Sequence, residues 1–188
     1  MNRWRLFLLC CGCLALTACE SFQRHIFPQT TATHRSVIGV YPDDMPARLY
    51  DRKIVLVGGV FDLIHYGHLK FLEAAKRQGN YLIVAIEPDE FISKYKNRSP
   101  VHTQAQRAEL LARLDMVDEV VLLPKMQGYK DYLELVKTIQ PAVIAVTEGE
   151  PHLDNKQKQA AVVGAEVVVV TLRDHQFATS QILKHMCK

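Results

Sequence analysis

The chain has 188 residues, 48% of them hydrophobic, and a formal net charge of +3. That is room for one ordinary domain plus extra sequence, with enough apolar side chains for a real core. The small charge and the lack of any Lys/Arg block argue against a nucleic-acid surface, and internal repeats and low-complexity tracts are absent. Cys10, Cys11, Cys13 and Cys19 crowd the N-terminus and Cys187 lies alone beside the C-terminus, so the stretch between has no cysteines for a disulfide scaffold or a zinc cluster.

Residues 1–19, MNRWRLFLLCCGCLALTAC, read as a secretory leader: Arg3 and Arg5 make a basic start, and 6–16 is an apolar run too short to span a bilayer comfortably. Leu16-Thr17-Ala18-Cys19 resembles the bacterial lipobox. That resemblance implies cleavage before Cys19, lipidation of its thiol and an acyl-anchored lipoprotein of the bacterial envelope. A misplaced start, leaving a cytoplasmic protein, is the alternative. Residues 20–50, with Pro28, Pro42 and Pro46, hold no helical or strand period for long. They read as a linker with a short docking segment at 36–41, ahead of a body spanning 51–188.

The body alternates. Residues 54–57 are a continuous apolar run of strand length, suited to a parallel sheet covered on both faces. Leu69, Leu72, Ala75 and Lys76 then follow a helical period, with Gly79 placed to cap its end. A strand is predicted at 81–86. Thr103-Gln104-Ala105-Gln106 fits a capping box opening a helix with Leu110, Leu111 and Leu114 on one face. Strands at 117–123, 142–146 and 166–172 alternate with helices at 132–139 and 156–163, and a last helix starts near Thr179. The order predicts an α/β fold, a Rossmann-like doubly wound parallel sheet of about five strands, with ligands bound beyond the carboxyl ends of the strands.

At such an end stands GGVFDLIHYGH, residues 58–68. If a helix begins at or just after His65, then His65 and His68 share a face of its first turn, beside free backbone N–H groups and the positive end of the helix dipole. Gly67 keeps that turn bare, and Gly58-Gly59 lets backbone approach a ligand closely. The combination suits a polyphosphate, with two imidazoles donating to oxygens that gain charge at a five-coordinate phosphorus. By pattern alone a metal site, with Asp62 nearby, and a solvated helix start are also open.

Gly59-x-Phe61-Asp62-x-x-His65-x-Gly67-His68, followed by Leu69 and Leu72, resembles the signature of the cytidylyltransferase-like nucleotidyltransferases. The likeness is strongest to the glycerol-3-phosphate cytidylyltransferases and the ADP-heptose-forming adenylyltransferase domains, and it runs across residues 53–186. Val84-Ala85-Ile86 with Asp89 looks like the family's second strand and its end. Lys96, Pro100-Val101 and Arg107 fall where the family carries a substrate-facing lysine, a Pro-Val pair and an arginine. Val117-Asp118-Glu119-Val120 is similar to its Val-Asp-Glu-Val strand, and residues 173–180, RDHQFATS, have the register of its Arg-Thr-Glu-Gly-Ile-Ser-Thr-Thr.

The resemblance implies transfer of CMP or AMP from CTP or ATP to a phosphorylated alcohol or sugar, with pyrophosphate released and Mg²⁺ accompanying the nucleotide. It implies that His65, His68, Lys96 and Arg173 are catalytic, bearing charge on the triphosphate and the acceptor phosphate. Gly59, Val60, Phe61, Asp62, Gly67, Arg107, Thr179 and Ser180 would line the nucleotide site, with Asp62 orienting a histidine or helping to hold Mg²⁺. A homodimer is implied too, since relatives commonly pair. Two loops depart from the family: Gln176-Phe177-Ala178 replaces Gly-Ile-Ser, and Thr147-Glu148-Gly149-Glu150 stands where an acidic Gly-Asp-Asp or Gly-Gly-Asp is usual. They leave CTP against ATP open. Together with the leader they leave room for an exported, lipid-anchored ligand-binding module on the same fold.

Overall fold

In the computed structural model, which describes residues 36–44, 51–172, 179, 181 and 182, six strands alternate with five helices. The strands are β1 (Val37–Val40), β2 (Ile54–Gly59), β3 (Tyr81–Ile86), β4 (Glu119–Leu122), β5 (Val143–Thr147) and β6 (Glu166–Thr171). The helices are α1 (Tyr66–Lys76), α2 (Asp89–Lys96), α3 (Gln104–Leu111), α4 (Tyr129–Ile139) and α5 (Leu153–Val163). All strand pairs are parallel, in the order β1-β4-β3-β2-β5-β6. The expected doubly wound sheet is present, with a sixth strand.

β2 lies between β3 and β5, and its residues 54–57 are buried. This is why the run is apolar without alternation: both faces of a central parallel strand are covered. On one face Val55, Val57, Val84 and Ile86 pack with Phe71, Leu72 and Ala75 of α1 and Ala108 and Leu111 of α3. On the other, Ile54, Leu56, Ile83 and Ala85 pack with Leu135, Val136 and Ile139 of α4 and Ala160 of α5.

The capping box forms as the sequence predicts. The Thr103 hydroxyl accepts from the Gln106 N–H, and the Gln106 side chain accepts from the Thr103 N–H. The face of α3 differs from expectation: Leu110 is exposed, while Arg107 points inward with Ala108 and Leu111. Gly79 also differs, since α1 ends at Lys76 with Arg77 as its C-cap. A Cβ on Gly79 would stand 2.2 Å from the Lys53 carbonyl oxygen and 2.7 Å from Val55 Cγ2, so glycine is required for chain clearance at the start of β2.

Two elements carried too little pattern to be anticipated. α2 buries only Ile92, so it has almost no apolar stripe to read. β1 falls within the segment read as a linker, where a docking segment at 36–41 was expected; it pairs with β4 at the sheet edge and buries only Gly39. Among the described residues no helix is long and apolar enough to cross a membrane. The leader, Cys19, Arg173 and Ser180 lie outside the described residues.

Replacing Gly79 by alanine should therefore force the β2 entry apart, because the clash is with backbone. We expect a loss of about 1–3 kcal/mol in urea unfolding, whereas a change within ±0.5 kcal/mol would show that the contact relaxes freely.

Candidate active site

The chain leaves β2 at Gly58-Gly59 and turns sharply before α1. Phe61 and Leu63 both adopt left-handed backbone, with φ of 52° and 59°. For bulky residues that conformation costs on the order of 1–3 kcal/mol each and persists only where the surroundings enforce it. The enforcement is visible. The Phe61 ring is buried and folds back over Gly59, where a Cβ would approach ring carbon Cε2 to 2.9 Å. Leu69 N–H bonds the His65 carbonyl, starting α1 with His65 as its N-cap.

The loop brings the two histidines together. Their rings stack with centroids 3.7 Å apart and an interplanar angle of 19°, as the three-residue spacing predicts. His65 Nδ1 accepts the His68 backbone N–H at 3.4 Å, so its proton resides on Nε2, free to donate. His68 is tilted against Phe61 at 5.1 Å. Burial, and next the neighbouring His65, depress the His68 pKa to about 3, against a partly offsetting hydrogen bond with the Leu63 carbonyl. Burial lowers His65 as well. Both rings are therefore neutral at pH 7. With the Leu63 carbonyl taking the ring proton, His68 Nδ1 is a buried lone pair with no partner among the described residues.

Asp62 has a different setting from that implied by the resemblance. Its side chain is fully buried and ion-paired with Arg98, and its carboxylate accepts the backbone N–H groups of Val101 and His102. Burial alone would raise its pKa, but the bonds from His102, Arg98 and Val101 together hold it below the ordinary carboxylate value. Asp62 thus fastens loop 98–102 to the histidine loop, and both its oxygens are occupied. No cluster of His, Cys, Asp or Glu among the described residues could hold a metal ion. The protein side of the site does not fit a resident Mg²⁺; magnesium arriving on a triphosphate is part of the substrate.

Arg107 is likewise turned inward rather than toward a ligand. It is fully buried, and Nε donates to His102 O, Nη1 to Val60 O, and Nη2 to both Glu87 O at 2.9 Å and Asp89 Oδ1 at 2.7 Å. Thr179 has helical backbone, and its hydroxyl donates to the Asp62 carbonyl at 2.9 Å, closing the segment after β6 onto the histidine loop. Val60 is half-buried in that loop, Gly67 is half-buried in the first turn of α1, and Lys96 is exposed at the end of α2. Sequence reasoning did not single out Arg98, whose only cue was its place between Lys96 and Pro100. Nor did it single out Glu87 or Tyr132, which carry no motif.

The sequence profile of the family described as Cytidylyltransferase-like matches residues 56–185. The chain belongs to that family. It is a nucleotidyltransferase. It is 36% identical over 142 residues to the FAD synthase of Pyrococcus horikoshii, covering 72% of this chain and 94% of that one. It is 38% identical over 138 residues to the bifunctional protein HldE of Campylobacter jejuni subsp. doylei, covering 71% of this chain but 28% of HldE. The lipopolysaccharide core biosynthesis protein of Thermoplasma volcanium shares the fold, with a TM-score of 0.53, 23% identity, and coverage of 66% and 98% of the two chains. Within the cytidylyltransferase-like signature, the two imidazoles stack on each other at the start of α1, and Asp62 and Arg107 are the parts that hold the loops around them.

Asp62→Asn keeps the shape and removes the charge, leaving Arg98 without its counterion. A loss of about 2–3 kcal/mol is expected, with amide hydrogen exchange at Val101 and His102 accelerating more than exchange in β3; uniform change across the chain would refute a local fastening role. His68 gives a second test. The folded protein keeps it unprotonated down to about pH 3, while the unfolded chain takes up a proton near its ordinary value of 6.5. Folding stability should therefore fall by roughly 1.4 kcal/mol per pH unit as pH drops between those values. His68→Asn should lose this component, so urea titrations at pH 6 and pH 4 that give equal slopes for parent and variant would sink the burial argument.

Proposed function

We propose that this protein transfers a nucleotidyl group, AMP from ATP or CMP from CTP, to the phosphate of a phosphorylated alcohol or sugar. An acceptor phosphate oxygen attacks the α-phosphorus, the bond to the β-phosphate oxygen breaks, and its electron pair leaves on pyrophosphate. The observation that carries the reading is the stacked His65/His68 pair at the N-terminus of α1. His65, neutral with its Nε2–H free, offers a donor where a triphosphate meets a helix N-terminus, and His68, whose ring proton goes to the Leu63 carbonyl, holds that ring in place by stacking on it.

No covalent intermediate is needed. Catalysis consists of positioning and charge stabilisation, which suits a loop pinned by Asp62 and Arg107. Lys96 and Arg173 would neutralise charge on the triphosphate and the acceptor, and Thr179 and Ser180 would contact the β- or γ-phosphate. Relatives named FAD synthase favour ATP as the donor.

The test is pyrophosphate release from ATP or CTP with magnesium and a panel of acceptors including glycerol 3-phosphate, sugar 1-phosphates and FMN. Turnover is expected with at least one pair, and His68→Ala should lower kcat by a factor on the order of 10². Folded protein that releases no pyrophosphate with any pair overturns the reading.

A further inference from the structure

Glu87 follows the last residue of β3, at the carboxyl edge where the site lies. It is only 8% exposed. Its backbone is built into the loop cluster: its N–H donates to the Gly59 carbonyl at 3.0 Å, and its carbonyl accepts from Arg107. Two residues beyond Ala85, the side chain shares that residue's face and so lies on the α4–α5 side of the sheet. There Oε1 accepts the Tyr132 hydroxyl at 2.8 Å. Oε2 is buried and has no partner among the described residues.

A buried carboxylate with one oxygen unsatisfied is costly, and such an atom in a folded protein calls for a partner supplied from elsewhere. Burial pushes the Glu87 pKa up, while Tyr132, Lys156 and Arg107 pull it back. Lys156 is itself shared with Glu150 at 3.9 Å. The other acid with an orphaned oxygen, Glu119, starts β4 at the opposite edge of the sheet and cannot meet the same ligand.

Space for a ligand lies next to Glu87. Gly58, in the central strand, pairs with Ala85 and shares its face, yet it is exposed. A Cβ built on Gly58 would meet nothing nearer than the Ala85 carbonyl oxygen at 4.0 Å. The sheet is thus uncovered at this point, with Glu87 at the rim of the opening. A carboxylate oxygen accepts hydrogen bonds and repels phosphate oxygens, so the group it meets is a donor, and on a nucleotide or a phosphorylated alcohol or sugar the donors away from the phosphates are hydroxyls and base N–H groups. The orientation of the sheet indicates which substrate provides it. Thr179, expected at the nucleotide's phosphates, comes after β6, on one side of β2; Glu87 ends β3, on the other.

We propose that Glu87 Oε2 accepts a hydrogen bond from a hydroxyl of the phosphorylated acceptor, making Glu87 a specificity-determining residue for polyhydroxylated acceptors. This rests on the nucleotidyltransferase reading above and adds the chemistry of the acceptor. Tyr132 holds the carboxylate in place through Oε1.

The experiment is calorimetric titration of the full chain with a non-hydrolysable ATP or CTP analogue. The nucleotide-loaded protein is then titrated with glycerol 3-phosphate, glucose 1-phosphate, FMN and, lacking hydroxyls, propyl phosphate. At least one polyhydroxylated phosphate should bind more tightly than propyl phosphate. Glu87→Met should weaken that binding about 10- to 100-fold, the range of one hydrogen bond to a charged group, and Glu87→Gln, which keeps an acceptor oxygen, by less. Nucleotide affinity and melting temperature should hold in the Gln variant, which keeps the test open should Met fail to fold. Unchanged acceptor affinity in both variants overturns the proposal. So does a loss confined to the nucleotide, which would place the hydroxyl on its ribose, or a parent protein that binds nucleotide but prefers propyl phosphate. Failure of the parent to bind any nucleotide would instead strike the function on which the proposal rests.

Discussion

One buried guanidinium holds the carboxyl edge of this sheet together. Arg107 donates to carbonyls of Val60, Glu87 and His102 and to the Asp89 carboxylate, so a single side chain of α3 joins the loop after β2, the end of β3, the start of α2 and its own helix entry. A charge with no solvent exposure would be prohibitively expensive alone. Here the planar fork has a protein acceptor in four directions, which suits arginine and not lysine. The strained backbone at Phe61 and Leu63 depends on this arrangement, because the loop it shapes has Val60 fixed from outside.

Asp62 complements Arg107 from the opposite sign. It ties the same loop to residues 98–102 through Arg98 and two backbone N–H groups, and Thr179 closes over its carbonyl. Between them, segments distant in sequence are fixed around His65 and His68, whose rings are left in contact with each other. Two imidazoles stacked at 3.7 Å repel if both are charged. Burial keeps them neutral, and a neutral imidazole can give a hydrogen bond to phosphate without carrying a counter-ion in its resting state. Rigidity of the loop and neutrality of the pair are thus one physical condition.

The parts of this arrangement legible in the sequence were those with a period or a fixed spacing. The apolar runs of β2 and β3, the Thr103–Gln106 capping box and the three-residue histidine spacing each fix a local geometry through neighbours along the chain. Long-range partners were not legible. Asp62 in a nucleotide-site signature looks ligand-facing, and only the fold reveals Arg98 and the Val101 and His102 amides around it. Arg107 lies on a helix whose apolar residues, Leu110 included, suggested a different inner face; the pull of four acceptors at the sheet edge outweighs the preference for a leucine there. β1 escaped detection because an edge strand with three exposed residues out of four gains its place from hydrogen bonds to β4 rather than from burial.

At the carboxyl edge of the sheet, hydrogen-bond satisfaction distinguishes two buried acids, Asp62 and Glu87, that lie close together in the fold. Asp62 sits in the signature and Glu87 outside it, yet Asp62 has each oxygen engaged by the protein while Glu87 has one oxygen engaged and one open. Both are buried, so each draws its partners from the protein or from a bound molecule. Folding alone accounts for Asp62: its donors repay its desolvation, and its pKa falls below the ordinary value. It does not account for Glu87, whose pKa burial pushes up despite the Tyr132 bond and the charges of Lys156 and Arg107. An acid kept in that state beside an exposed glycine of the central strand is under-coordinated at the edge where this family works, and the missing donor is a property of what binds there.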